Sequence, residues 1–291
     1  MKYGLNVPNF GAFGDIKQLV EYAKAAEAAG WDGFYLWDHL RTIDLPATDP
    51  FVDPWIAMTA IAANTTNLRF GALVTPFSRR RPGKVARETA SLDRLSDGRL
   101  VVGAGIGGDY YRELSGFGEE VGDKVNAAKL DEALYLINEL WTGKEVTHKG
   151  DHYTLEKIQF HPTPVQEPRI PVWLAGVWPG TKPFQRAARW DGIVPLDRHN
   201  QEHPDGFPPE EVRKMMEYIH KYRESDAPFD VVITTRRHQL GKGYVPATDE
   251  YFTYLAEMES AGLTWALESL DMKADHQQIV DVINAGPARL S

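Results

Sequence analysis

The apolar positions of the chain gather into short continuous runs separated by longer amphipathic stretches. YGLNV (Tyr3–Val7) is a compact apolar run closed by Pro8-Asn9, the pattern of a strand buried on both faces. A stripe with helical period follows. Ile16, Leu19, Val20 and Ala23 share one face, Asp15 stands where a helix needs a cap, and Gly30 stands where it stops. FYLW (Phe34–Trp37) is the second strand. Asp53-Pro54, a cap followed by proline at the first helical position, opens a helix over Trp55–Ala63. The third strand is Arg69–Val74, ended by Thr75-Pro76. Pro82 opens the next helix, with Val85, Ala86, Thr89 and Leu92 inward. Asp97-Gly98 turns into a fourth strand, Leu100–Ala104, and a long helix covers Lys124–Trp141.

The alternation then stalls. Lys144–Phe160 reads as a hairpin, because HKGDHYTL holds a Gly-Asp turn between two short strand pieces. The proline-rich stretch to Pro171 reads as irregular. Alternation resumes with a strand at Val172–Ala175, a helix near Phe184–Arg189, a strand at Gly192–Val194 and a charged helix near Glu210–Glu224. A strand at Asp230–Thr235, a helix near Asp249–Ala261, a strand at Thr264–Glu268 and a helix near Asp275–Asn284 complete the series. Eight strands nearly all separated by helices imply a parallel sheet. Eight such units in 291 residues predict an α/β fold: one (β/α)8 barrel domain over 1–291, with a β-hairpin insertion after the fourth helix. A doubly wound open sheet is the competing topology. No Gly-, Ser- or Pro-rich linker divides the chain, and no repeat or low-complexity tract is visible.

Composition removes several function classes. The net charge of −9 disfavours broad nucleic-acid binding. The absence of cysteine excludes disulfides, thiolate metal sites and cysteine nucleophiles. The N-terminal MKYGLNVPNF lacks a signal-peptide core, and no apolar run is long enough to cross a bilayer, so a cytoplasmic protein without membrane contact is expected. The nine histidines are scattered, without His-x-His or HExxH, and no metal site is expected. No G-x-S-x-G elbow occurs.

In a barrel, active sites sit at the C-terminal ends of the strands. The residues there are Asn6 and Asn9; Trp37, Asp38 and His39; Thr75, Ser78 and Arg79-Arg80-Arg81; Gly103, Gly105, Gly107, Gly108 and Asp109. The later strands offer Gly176, Trp178, Gly180 and Lys182; Pro195 and Asp197; Arg236, Arg237 and His238; and Glu268. This rim is aromatic, glycine-rich and basic with one Asp-His pair, which suits a flat conjugated ligand bearing a phosphate. GAGIGG is close to the dinucleotide fingerprint, but no acid follows at a strand end some twenty residues on.

Six stretches carry a resemblance to a known family: AAEAAGWDGFYLWDHL, LRFGALVTPFSRRRP, ARETASLDRLSDGRLVVGAGIG, LDEALYLINELWTG, the GDHYTL hairpin and RIPVWLAG. From its start to about Gly192 the chain resembles the bacterial luciferase-like flavin- and deazaflavin-dependent oxidoreductases, which are (β/α)8 barrels. The resemblance implies a noncovalent cofactor, coenzyme F420 or FMN, over the barrel mouth. Its ring would lie against the ends of strands one to four, here Asn6, Trp37, Ala72, Leu73, Thr75, Gly105, Ile106 and Gly107. A non-proline cis peptide is implied at Ala72–Leu73 or a neighbouring bond. The phosphate would sit by the loop after strand five, at Gly176, Val177 and Trp178. This sequence departs from the family pattern there, since GVWPGTKP has Val177 and Trp178 where relatives carry paired glycines. Lys182 or Arg186 is then the candidate phosphate contact. The Asp-His pair is similar to the F420-using branch, and Arg79–Arg81 with Lys84 could meet that cofactor's acidic tail.

The resemblance implies that His39 acts as acid or base, with Asp38 or another group fixing its tautomer. Three functions are carried forward. The first is F420-dependent hydride transfer to or from a small organic substrate. The second is an FMNH2-dependent monooxygenase, supplied by a separate reductase. The third is a noncatalytic flavin-binding protein. A Schiff-base barrel enzyme would need a lysine inside a strand end, and the only lysines near the rim, Lys182 and Lys84, read as loop residues. A homodimer is a further expectation, with Trp55–Ala63 as one possible interface.

A structural reading stands beside each site residue. His39 could bond a loop carbonyl, and Asp38 could cap the next segment. Trp37 could be core, and Arg79–Arg81 a solvated run. Gly105 and Gly107 could serve turn geometry, and Trp178 could anchor its loop. Asp109 or Glu113 could place an acid near the substrate, and Glu268 could serve either substrate or a structural arginine.

Overall fold

The computed structural model describes residues 1–197, 206–235 and 244–290. Strand β1 (Lys2–Val7) leads to α1 (Ile16–Ala28), then β2 (Gly33–Leu36), α2 (Pro54–Asn64), β3 (Arg69–Ala72) and a two-residue β4 (Thr75–Pro76). Next come α3 (Pro82–Leu95), β5 (Val102–Gly105), α4 (Asp123–Trp141) and the hairpin β6 (Val146–Lys149) and β7 (Thr154–Ile158). The chain continues through β8 (Val172–Trp178), α5 (Thr181–Ala187), β9 (Gly192–Asp197), α6 (Pro209–His220), β10 (Asp230–Thr235), α7 (Asp249–Ser260), β11 (Trp265–Ser269) and α8 (His276–Ala285).

All strands but the hairpin form one parallel sheet, in the order β3-β2-β1-β11-β10-β9-β8-β5-β4. β3 and β4 are two halves of the third strand, separated by the cis peptide Leu73–Val74. The Phe70 amide donates to Arg99 O, and the Val101 amide donates to Phe70 O. These bonds bring the β3 edge onto the chain entering β5, so the two ends of the sheet meet in a (β/α)8 barrel. The hairpin lies outside the barrel, against α4. Its loop is held by Glu132, which bonds His148 Nε2 at 2.9 Å and accepts from the His152 and Tyr153 amides. No helix among the described residues is long and apolar enough to cross a membrane.

Side-chain volume closes the barrel. Tyr35, Trp173 and Trp265 fill its interior with ring centroids 5.4 to 5.7 Å apart, alongside Leu73, Val101, Val194, Val232 and Leu267. Three rings fit because glycines stand beside them, Gly33 two residues before Tyr35 on β2 and Gly192 on β9 next to Trp173. A Cβ on Gly33 would stand 2.6 Å from the Tyr35 ring, and one on Gly192 would stand 2.6 Å from Trp173. The other faces of the strands pack on the helices, which is why the strands read as continuous apolar runs.

Local signals set the helix starts as the sequence indicated. Asp15 accepts from the Gln18 amide at 2.8 Å. Asp53 accepts from the Trp55 and Ile56 amides with Pro54 at the first helical position. Other boundaries differ. β8 and β9 each run three residues beyond the apolar stretch, because Gly176, Val177 and Trp178 pair with Pro195, Leu196 and Asp197. Glycine and proline there look like breakers, yet the parallel ladder continues through them. The helix expected at Phe184–Arg189 begins earlier, at Thr181, and the one expected to reach Glu224 ends at His220.

Candidate active site

The site is assembled where β1, β2, β4 and β5 end. The Trp37 amide makes the last rung beyond β2, donating to Val7 O at 2.9 Å. Asp38 and His39 follow at once, at the top of the barrel. Asn9, fully buried after β1, holds this corner. Its Nδ2 donates to His39 O and to Val52 O, both at 2.8 Å, and its Oδ1 accepts the His39 amide at 3.1 Å. One amide side chain thereby fixes the backbone of His39 and the approach to α2.

The side chain of Asp38 is fully buried, and its partners are cations from the next strand end. Arg79 Nη2 donates to Oδ1 at 2.7 Å and Arg80 Nη2 to Oδ2 at 2.9 Å, while Trp55 Nε1 reaches Oδ2 at 3.3 Å. Arg79 also donates to the Asp38 carbonyl, and the Arg80 guanidinium lies over the Trp55 ring. These two arginines, read from sequence as an external anion site or a solvated run, instead neutralise an internal carboxylate. Asp38 shows no hydrogen bond to His39 and caps no helix; it locks the β2 end to the β4 end.

His39 has a different partner. Its Nδ1 lies 3.0 Å from Glu113 Oε2, on the long loop after β5. Glu113 is buried and also accepts from the Leu40 and Arg41 amides, with Arg79 Nη1 3.7 Å away. Burial pushes its carboxyl upward, but the His39 hydrogen bond and charge, the Leu40 amide and the Arg79 charge outweigh that and hold it below the usual carboxylate range. A carboxylate can only accept, so His39 Nδ1 carries hydrogen and donates it. In the neutral ring, Nε2 is then the basic nitrogen. The imidazole is about a third exposed, at 31%, and sits edge-on to Phe10, Trp37 and Tyr111 at 5.3 to 6.1 Å. A second tie joins the same two loops, from Tyr111 OH to Asp44 Oδ2 at 2.6 Å. Asp109, the other acid noted in sequence, accepts from the Leu114 and Ser115 amides and shapes the turn carrying Glu113.

The residues expected to face a cofactor ring fall into two groups. Asn6 Oδ1, Thr75 Oγ1 and Ser78 Oγ are buried at this end and make no hydrogen bond among the described residues. Buried oxygens of this kind are normally satisfied, so the mouth keeps bonding capacity that a ligand would use. Gly105 and Gly107 let the β5 end lie against β4. A Cβ on Gly105 would come within 2.9 Å of Val74, and one on Gly107, where φ is +76°, within 2.9 Å of Pro76 and Ser78. Trp37 and Ile106 are half-buried beside them, and Ala72 and Leu73 are buried next to the cis bond, which lies one residue beyond Ala72–Leu73. The mouth thus combines unpartnered polar atoms with an aromatic and apolar wall, which fits a flat, hydrogen-bonding ring.

The β8 end is arranged otherwise. The space for a Gly176 side chain is taken by Pro183 and Phe184 of α5, so this glycine serves helix packing. Trp178 donates to Glu211 Oε2 at 2.6 Å and packs edge-on against Phe184, which makes it an anchor to α6. Val177 is exposed. Arg186 is bidentate to Asp131, and the exposed Lys182 lines a groove on the outer helical wall with a volume of about 740 Å³. Lys84 pairs with Glu88. Glu268 is buried at the end of β11. Arg236, Arg237 and His238 lie outside the described residues. Sequence reasoning named Glu113 only as an acid near substrate and missed its bond to His39. It missed the Asp38 cation pair too, although adjacent parallel strands ending in opposite charges were a usable signal.

Comparison with known proteins agrees with this architecture. The luciferase-like monooxygenase family profile matches residues 1–241, and the chain belongs to that family. The match extends past Gly192, the end of the resemblance read from sequence. An F420-dependent glucose-6-phosphate dehydrogenase of Amycolatopsis mediterranei (strain U-32) is 34% identical over 185 residues, covering 61% of this chain and 53% of that protein. An F420-dependent hydroxymycolic acid dehydrogenase of Mycobacterium tuberculosis (strain ATCC 25618 / H37Rv) is 31% identical over 161 residues, covering 55% of this chain and 44% of its own. The chain therefore spans about half the length of these curated relatives. Among solved structures, an F420-dependent secondary alcohol dehydrogenase in complex with an F420-acetone adduct superposes with a TM-score of 0.78 at 19% identity, covering 97% of both chains. A monooxygenase from Streptomyces bottropensis superposes with a TM-score of 0.77 at 17% identity, covering 98% of this chain and 97% of its own. At such identities the two structures share the fold.

Proposed function

We propose that this chain is an F420-dependent oxidoreductase that moves a hydride between the cofactor and a small organic hydroxyl compound or its carbonyl form. The observation that carries the reading is His39. It is a part-exposed imidazole at the barrel mouth, with Nδ1 held by a buried carboxylate and Nε2 left as the base. Curated relatives that match 61% and 55% of the chain are named as F420-dependent dehydrogenases, which supports the choice of cofactor.

F420, when bound, supplies the two-electron hydride chemistry. Asn6, Thr75 and Ser78 would offer the ring hydrogen bonds, and Trp37, Ile106 and the Leu73–Val74 segment would flank it. His39 Nε2 takes the substrate hydroxyl proton as the carbon loses its hydride, and returns that proton when the reaction runs toward the alcohol. The Glu113 carboxylate faces the ring nitrogen that stays protonated throughout. Asp38 does not touch the reacting atoms; with Arg79 and Arg80 it holds the corner that carries His39.

Purified protein titrated in parallel with F420 and with FMN, followed by cofactor fluorescence, tests the cofactor. The reading expects saturable binding of F420 and weaker binding of FMN. A panel of simple alcohols then tests the chemistry, since turnover bleaches the oxidised cofactor. Tight FMN binding with oxygen uptake on reduction would favour the monooxygenase reading instead.

A further inference from the structure

We infer that Glu113 is a positioning residue for this reaction: it sets the His39 tautomer and locks the catalytic loop onto the loop after β5. The inference rests on the proposed role of His39, and it goes beyond that role by assigning a function to a residue 74 positions away in the chain.

Each Glu113 oxygen has its own task. Oε1 accepts the Leu40 and Arg41 amides, which belong to the segment directly after His39. Oε2 accepts from His39 Nδ1. The side chain is 5% exposed, so water does not replace these partners easily. Arg79 links Glu113 to the Asp38 cluster, bonding Asp38 with Nη2 and lying 3.7 Å from Glu113 with Nη1. The corner is therefore held twice, by Asp38 from beneath and by Glu113 from the side. Of these two carboxylates, Glu113 is the one that bonds the imidazole. A carboxylate there demands hydrogen on Nδ1, which leaves the Nε2 lone pair for substrate.

Glu113→Gln separates tautomer control from simple support. The two backbone amides orient the new side chain with its carbonyl oxygen at the Oε1 position, so its NH2 group faces His39 Nδ1. A donor at that place requires Nδ1 to accept, and the neutral ring must then carry hydrogen on Nε2, the wrong nitrogen for a base.

The test uses 15N-labelled full-length protein without cofactor, together with F420 binding and turnover. The wild-type neutral ring is expected to show the Nδ1–H tautomer by histidine ring nitrogen shifts, and Glu113→Gln the Nε2–H tautomer. Turnover of Glu113→Gln falls on the order of 100-fold, with F420 affinity within about threefold and a single cooperative melt that shows the variant is folded. Glu113→Asp, a shorter acceptor, restores the wild-type tautomer and part of the turnover. If Glu113→Gln keeps the Nδ1–H tautomer and wild-type turnover, the inference is wrong. It is also wrong if turnover falls only in proportion to lost F420 affinity. Failure of the wild type to bind F420 would reject the proposed function, while the tautomer measurement on cofactor-free protein still decides the role of Glu113.

Discussion

Asp38→Asn asks whether the acid beside His39 is chemical or structural. The substitution keeps shape and removes one charge from a fully buried side chain. Arg79 and Arg80, at 6% and 18% side-chain exposure, are left with a neutral amide where they had a carboxylate. Removing one partner of a buried ion pair costs about 3–5 kcal/mol, because the remaining charge is uncompensated. Arg79 keeps its bond to the Asp38 carbonyl and its proximity to Glu113, which puts the cost near the lower end, about 3 kcal/mol. For a chain of this size each kcal/mol moves the thermal midpoint by roughly 2–4 °C, so the midpoint falls by about 6–12 °C. The assay is a calorimetric or fluorescence melt of Asp38→Asn beside His39→Asn. Asp38→Asn loses stability and keeps most of its turnover per folded molecule at low temperature. His39→Asn, at a part-exposed side chain, keeps stability and loses turnover. A melt of Asp38→Asn within about 1 °C of wild type would refute the anchoring argument.

Three further outcomes follow from the same structure. Because the Glu113 carboxyl is held below its ordinary value in the folded state, its contribution to stability is present above about pH 4.3 and is lost as pH falls through the depressed folded-state value. The stability gap between wild type and Glu113→Gln should narrow as pH falls below the unfolded-state value and close below the depressed folded-state value, in urea titrations at a series of pH values. Arg99 gathers the end of α2 through bonds to Ala62 O, Thr65 O, Thr65 Oγ1, Leu68 O and Ser96 O. Arg99→Ala should cost about 2–4 kcal/mol by denaturant unfolding, and Arg99→Lys should recover little, since an ammonium lacks the planar fork. Gly33→Ala drives a methyl into the Tyr35 and Trp265 rings and should cost about 1–3 kcal/mol in the same measurement.

The barrel was legible because its cause is repetitive. Apolar runs buried on both faces alternate with helices around the barrel, and Asp15 and Asp53 cap their helices as the sequence indicated. The ends of β8 and β9 were not legible, since Gly176 and Pro195 are local breakers that a parallel ladder overrides. The site was half legible. Position after β2 marks His39 for the mouth, because every strand of a parallel barrel delivers its C-terminal residues to the same end. Adjacency in sequence made Asp38 look like the partner of His39. Successive residues beyond a strand need not face each other, and Asp38 turns to Arg79 and Arg80 while His39 turns to Glu113. The Glu113 contact depends on the path of a long loop, and no local pattern encodes that path.

The most direct test of the central claim, that this mouth binds a hydrogen-bonding cofactor ring, is Thr75→Val. Among the described residues, Thr75 Oγ1 is buried without a partner, so an apolar isostere should leave the thermal midpoint unchanged or raise it. If that hydroxyl serves F420, its loss should weaken binding by about tenfold, the equivalent of roughly one hydrogen bond of 1.4 kcal/mol. The account predicts both results in the same protein: equal or higher stability, and weaker F420 binding by fluorescence titration. Unchanged F420 affinity in a fully stable Thr75→Val protein would contradict it.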